Sequence, residues 1–166
     1  MELQKEYYEI EDYGGFLLRL VAYIIDAAIL SVITSILAFL MMGSRFLELA
    51  ANMEDEPDPE QIMEMMSGMG FFMITVIVIQ WLYYAVMESS PNQATVGKMA
   101  VSIKVTDLYG DRISFARATG RHFAKIISGF IIMIGYLMVA FTEKRQGLHD
   151  ILANTLVLKK NVPPLQ

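Results

Sequence analysis

From Phe16 to Met42 the chain is apolar apart from a few small polar residues and two charges, Arg19 and Asp26. As a helix this run is about 40 Å long, more than the ~30 Å of a bilayer's hydrocarbon core, so it reads as a membrane span whose first turns lie at the interface. An ionised group at membrane depth costs at least ~2.5 kcal/mol, so each charge needs a partner, a wet cavity or a task. Arg19 sits near the interface and can snorkel, whereas Asp26 lies too deep for that. Seven residues apart, the two share a helix face but are separated by about 10 Å along the axis. They do not neutralise each other, and their partners must come from elsewhere in the chain.

Composition supports the membrane reading: 55% of the 166 residues are hydrophobic and the mean hydropathy is +0.44, unusual for a water-soluble domain. The start is acidic and is followed by no small-residue cleavage site, so the first apolar run is expected to remain as an anchor. With no cysteine, disulfide and thiolate chemistry are excluded.

Charge is unevenly distributed. Residues 43–70 carry one basic residue against seven acidic ones, and the chain after Ser89 carries ten against four. The positive-inside tendency places the basic part, with the N-terminus, on the cytoplasmic side of the plasma membrane, and residues 43–70 outside. That acidic, methionine-rich loop is expected to hold a short surface helix starting at Asp58-Pro59. Its methionines suit an interfacial helix, and with no Cys or His nearby no metal site is expected.

A second span runs about 71–88, with Gln80 inside it and Glu88 at its end. Depth estimates bring Gln80 level with Asp26, and Glu88 level with Arg19. After a turn-rich linker, Val101 to Asp107 alternates like a strand, Arg112-Ile-Ser-Phe115 can pair back on it, and Asn154 to Lys159 is a further strand partner. Ser114 caps an amphipathic helix carrying Arg117, Arg121 and Lys125. This basic face, with Lys144 and Arg145, is expected to meet anionic lipid headgroups or a partner protein, and no nucleic acid is expected beside a membrane anchor.

The third apolar segment, about 123–142, is barely long enough to span. A single crossing would put Lys144, Arg145, Lys159 and Lys160 on the acidic loop's side and separate the two strands. A broken or re-entrant hairpin is therefore favoured over a third transmembrane helix. The expected fold is an all-α polytopic membrane protein with two full spans, this third segment and a small cytoplasmic β-hairpin or sheet. It forms one membrane domain over 1–160, with a tail at 161–166 and both termini inside.

Several motifs recur in order. Gly15-Phe-Leu-Leu-Arg19 with Ala22-Tyr-Ile-Ile-Asp26, Thr95-Val-Gly-Lys98, Ile103-Lys-Val-Thr-Asp107, Ser114-Phe115, Arg121, Lys144-Arg-Gln-Gly-Leu-His-Asp150 and Ala153-Asn-Thr155 together resemble the RDD family of small membrane proteins, over roughly 14–158. The resemblance implies that Arg19, Asp26 and Asp150 are the arginine and two aspartates of the family's name. It also implies a part in transport, since some members are sodium/proton antiporters.

Two functional readings follow. In one, Arg19 bridges Asp150 and Glu88, Asp26 bonds Gln80, and Asp26 is an exchangeable Na⁺ or H⁺ site with no cofactor; so small a chain would then need a homo-oligomer or a partner subunit to wall a path. In the other, the cluster is purely architectural and the chain is a non-transporting adaptor. Catalysis is not expected, because two histidines without cysteine or a phosphate loop build no recognisable machinery.

Overall fold

The computed structural model describes residues 7–51, 58–130 and 138–165. Helix α1 spans Phe16–Ala51 and α2 spans Pro59–Glu88. Within them Phe16–Ser44 and Pro59–Glu88 are 29 and 30 residues long and apolar enough to cross a membrane. Their outward side chains are apolar, with Leu17, Phe39 and Leu40 more than 70% exposed, the surface that acyl chains rather than water would cover. Asp58 starts α2 as expected, its carboxylate accepting from the Glu60 amide at 3.3 Å. The expected surface helix is not separate: it runs on into the second span as one helix.

These residues form two compact units, Met1–Asp26 with Trp81–Gln166, and Ala27–Gln80. The second unit consists of the remaining parts of α1 and α2. The first holds everything else: α3 (Val96–Ala100), β1 (Ile103–Thr106), α4 (Phe115–Phe130), α5 (Leu148–Leu152) and β2 (Leu156–Lys159).

Strands β1 and β2 pair antiparallel, with Val105 opposite Val157 and Ile103 opposite Lys159. Residues 112–115 do not pair back on β1. Instead, Asp107 closes a turn by accepting the amides of Tyr109 and Asp111, both at 2.9 Å, and Ser114 caps α4 through the Arg117 amide at 3.2 Å. Both faces of this small sheet are covered, because side chains alternate across it. Ile103, Val105 and Val157 pack with Ala22, Ala85, Ile113 and Ala118. Leu156 and Leu158 pack with Tyr8, Tyr13 and Val162, which come from the two ends of the chain. Gly14 extends the ladder by donating to the Val157 carbonyl at 2.8 Å.

Residues 131–137, where the third apolar segment would cross or turn back, lie outside the described residues. Its flanks, α4 and α5, pack against each other.

The clasp between the chain's ends depends on Gly110, at φ +94, where an added Cβ would lie 2.1 Å from the Tyr8 hydroxyl. That hydroxyl donates to the Tyr109 carbonyl at 2.8 Å. Gly110→Ala is expected to lose about 1–3 kcal/mol through backbone strain alone, read as a lower Tm, with greater protease sensitivity at residues 7–13.

Candidate functional site

The sequence of the first unit delivers four cations and two carboxylates to one buried place. Glu88 is the last residue of α2, Arg121 and Lys125 lie one helical turn apart on α4, Lys98 is in α3, Arg19 in α1 and Asp150 in α5. Arg121 is only 2% exposed, and Glu88 and Asp150 are as deeply buried. Its fork joins the two acids: Nη1 donates to Glu88 Oε2 at 2.7 Å, while Nε and Nη2 donate to Asp150 Oδ1 at 2.9 and 2.5 Å. A planar guanidinium can hold two carboxylates in fixed directions, which a lysine cannot.

Asp150 Oδ2 takes Arg19 Nη1 and the Gly147 amide at 3.1 Å, so the same carboxylate caps its own short helix. Arg19 is completed by the Gly14 carbonyl at 2.8 Å and the Arg145 carbonyl at 2.5 Å. Arg145 presents that carbonyl from a left-handed conformation, φ +46. The other Glu88 oxygen takes Lys98 at 2.5 Å and Lys125 at 3.5 Å.

Burial alone would raise the Asp150 pKa, but Arg121 and Arg19 outweigh it and hold the carboxyl well below its usual range. Burial would lower that of Arg121, and its two acids outweigh it, so the guanidinium is held more firmly charged than usual. Burial lowers Lys98 despite Glu88 beside it. It also lowers His149 to about 3, despite Asp150. The 3.4 Å approach of His149 to Asp150 is thus that of a neutral imidazole to a carboxylate.

Asp26, 1% exposed, forms a separate centre with uncharged partners. Oδ1 accepts from the Tyr83 hydroxyl and the Gly97 amide, both at 2.7 Å. Oδ2 accepts from the Thr95 hydroxyl at 2.6 Å. Thr95 also caps α3 through the Lys98 amide, so the membrane helix and the short helix meet at this carboxylate. The approach needs glycine at 97, since a Cβ there would lie 2.1 Å from the Ala22 carbonyl oxygen.

The expected cluster is therefore assembled differently. Arg19 does meet Asp150, but Glu88 is bound by Arg121 and the two lysines. Asp26 is held by Tyr83, Thr95 and Gly97, while Gln80 is exposed. Arg121 and Lys125 do not form a lipid-facing basic surface: α4 turns them inward and leaves Phe123, Ile126 and Ile127 about half exposed. Arg117 and Lys144 remain exposed, Arg117 lying 3.8 Å from Asp107, and Arg145 is half-buried. Among the described residues, no three His, Asp or Glu side chains converge as metal ligands.

Residues 13–154 match the RDD family. The chain belongs to the RDD family. It is 38% identical over 153 residues to the Uncharacterized protein YxaI of Bacillus subtilis (strain 168), covering 91% of this chain and all of that one. It is also 30% identical over 97 residues to the Uncharacterized membrane protein YteJ of the same organism, covering 55% of each. No solved structure matches. With its two long apolar helices, this RDD chain is a membrane protein.

Removing Arg121 leaves two buried carboxylates underpaired, so Arg121→Met is expected to cost about 3–5 kcal/mol, read from thermal unfolding in lipid nanodiscs. Arg121→Lys should recover less than half of the loss, because an ammonium cannot reproduce the fork. Acid should act through His149 first. Its pKa lies lower in the folded state than the ordinary ~6.5 of the unfolded chain, so the unfolded state binds the extra proton between about pH 6.5 and pH 3, and stability falls as pH drops through that window. Asp150, depressed in the folded state, adds a further loss only below its unfolded value near ~3.9. Tm should therefore decline from pH 6.5 towards pH 4.5, and His149→Gln should flatten that decline.

Proposed function

We propose that this RDD protein is a non-transporting membrane adaptor: two helices anchor it, and its compact unit presents a rigid basic platform to an acidic partner protein. The carrying observation is that Glu88, Asp150 and Asp26 are all committed to internal bonds, while Lys144, Lys159 and Lys160 stay exposed on the same unit. The expected topology fits this reading. Residues 8–14 pack with the C-terminal strand, so both ends lie together, and the positive-inside tendency places them in the cytoplasm. The contact between Arg121 and Asp150 favours a third segment that returns to the side it left. No catalytic step is part of this reading.

Protein purified from native membranes should carry a partner in fixed stoichiometry. Exchanging Lys144, Lys159 and Lys160 together for Glu should release it without lowering Tm. Purification of the wild type alone, with no partner retained after crosslinking, would sink the adaptor reading.

A second reading is favoured by one observation, a buried aspartate inside an apolar helix whose hydrogen bonds among the described residues all come from uncharged donors. Such a carboxylate can exchange H⁺ for Na⁺ in a homo-oligomer or with a partner membrane protein. Sodium-dependent proton flux in proteoliposomes, abolished by Asp26→Asn, would establish it; no flux, or equal flux in the variant, would exclude it.

A further inference from the structure

Along α2 the choice of apolar residue changes while the helix does not. Residues 59–73 contain five methionines and one branched aliphatic residue, Ile62, whereas residues 74–88 contain one methionine and seven branched aliphatics. Facing hydrocarbon calls for apolar side chains but not for sulfur, and Leu, Ile and Val serve there. Helix formation does not account for the switch either, since Leu and Met favour a helix equally.

The helix gathers these methionines on one side. At ~100° per residue, Met65, Met66, Met69 and Met73 fall within an arc of about 100°, and they are 40%, 64%, 45% and 57% exposed. None belongs to either apolar core of the described residues. Met69 lies one turn from both Met65 and Met66, the spacing at which side chains on a helix meet, and Met73 follows one turn on. The ground beside them is open: Gly70 is one turn from Met66 and from Met73, and a Cβ added there would meet nothing within 4 Å.

The ligand class follows from the donors. A thioether is neutral, soft and polarizable, and it suits Cu(I) rather than hard or borderline divalent ions. The expectation of no metal site rests on the absence of Cys and His nearby, and a site of thioethers alone needs neither. Three rotatable bonds let methionine sulfurs from successive turns close on one ion. The surrounding charge favours a cation. Seven acidic residues stand against one basic residue in 43–70, which raises the local concentration of positive ions, and Asp58 and Glu60 lie exposed within two turns of Met65.

We propose that Met65, Met66 and Met69, with Met73 as a fourth donor, form a thioether site for Cu(I) on the N-terminal half of α2. The site lies in the unit formed by Ala27–Gln80. It rests neither on the adaptor reading, which uses Lys144, Lys159 and Lys160, nor on Asp26.

The test is equilibrium dialysis of the full chain in lipid nanodiscs against Cu(I), kept reduced by ascorbate without oxygen, with bound copper read by atomic absorption. Wild type should retain one Cu(I) per chain beyond empty nanodiscs, equally at about pH 7 and about pH 5, because thioethers, unlike carboxylates or imidazoles, need not shed a proton to bind. Met65→Leu, Met66→Leu and Met69→Leu together should lose that copper, and the same exchange at Met87 and Met99 should keep it. Leucine matches methionine in volume and helix preference, and unchanged far-ultraviolet circular dichroism shows that the variant is folded. Four outcomes would overturn the proposal: no Cu(I) retained by the wild type; equal retention in the folded triple variant; release at the lower pH, which would assign the copper to carboxylates; or equal retention of Zn(II), which would make the face a general cation surface.

Discussion

Four helices of the compact unit meet at the guanidinium of Arg121. Through Glu88 it holds the end of α2, and through Asp150 it holds α5 and, one residue further, Arg19 of α1. Buried ion pairs of this kind are a poor source of net stability, because desolvation offsets most of the Coulombic gain. They are a strong source of specificity, since any arrangement that separates the partners leaves a bare charge in a low-dielectric place. Four helices and the strand that follows α5 are thereby fixed in one register by a single side chain. The apolar core around it is modest and consists largely of alanine, valine and isoleucine, which increases the weight that the ionic contacts carry.

Helix α4 turns its charges to the acids inside the unit and its large apolar side chains outward. In water a helix with Arg121 and Lys125 on one side and Phe123, Ile126 and Ile127 on the other would turn its charges outward. Beside hydrocarbon the preference reverses, provided that acids are waiting inside. Buried Ala118, Arg121, Ala124 and Ser128 follow the three- and four-residue spacing of a helix face, and the two alanines leave space for the guanidinium between them.

The same reversal marks the limit of what the residues alone disclose. The span starting at Phe16 is legible from hydropathy, and the pairing of 103–106 with 156–159 from alternation. That Arg19 reaches Asp150 is legible only through the order of the motifs. The inward direction of Arg121 is not legible from its own helix, where a basic stripe suits headgroups, because the acids that turn it inward, Glu88 and Asp150, lie on other elements. Depth sets Gln80 level with Asp26, but depth along a helix fixes neither azimuth nor neighbour, and Gln80 is exposed. The partners of Asp26 are Tyr83 and, in the turn-rich linker after the second span, Thr95 and Gly97. That linker's glycine, which lets α3 come against α1, and its threonine, which caps α3, were the signals of a segment that turns back.

The two polar centres are mechanically joined, and this bears on function. Thr95 and Gly97 hold Asp26, and Lys98, the next residue, holds Glu88. A transport cycle that freed Asp26 would have to move α3, draw Lys98 from Glu88 and leave that acid to Arg121 and Lys125. An exchange site usually sits on an element with two arrangements of similar energy. Here the start of α3 is held by two hydrogen bonds to one carboxylate and an ion pair to another, so a second arrangement carries the cost of all of them together. The coupling makes Asp26 a pin between the membrane helix and the platform, and it favours a part that is held still over one that alternates.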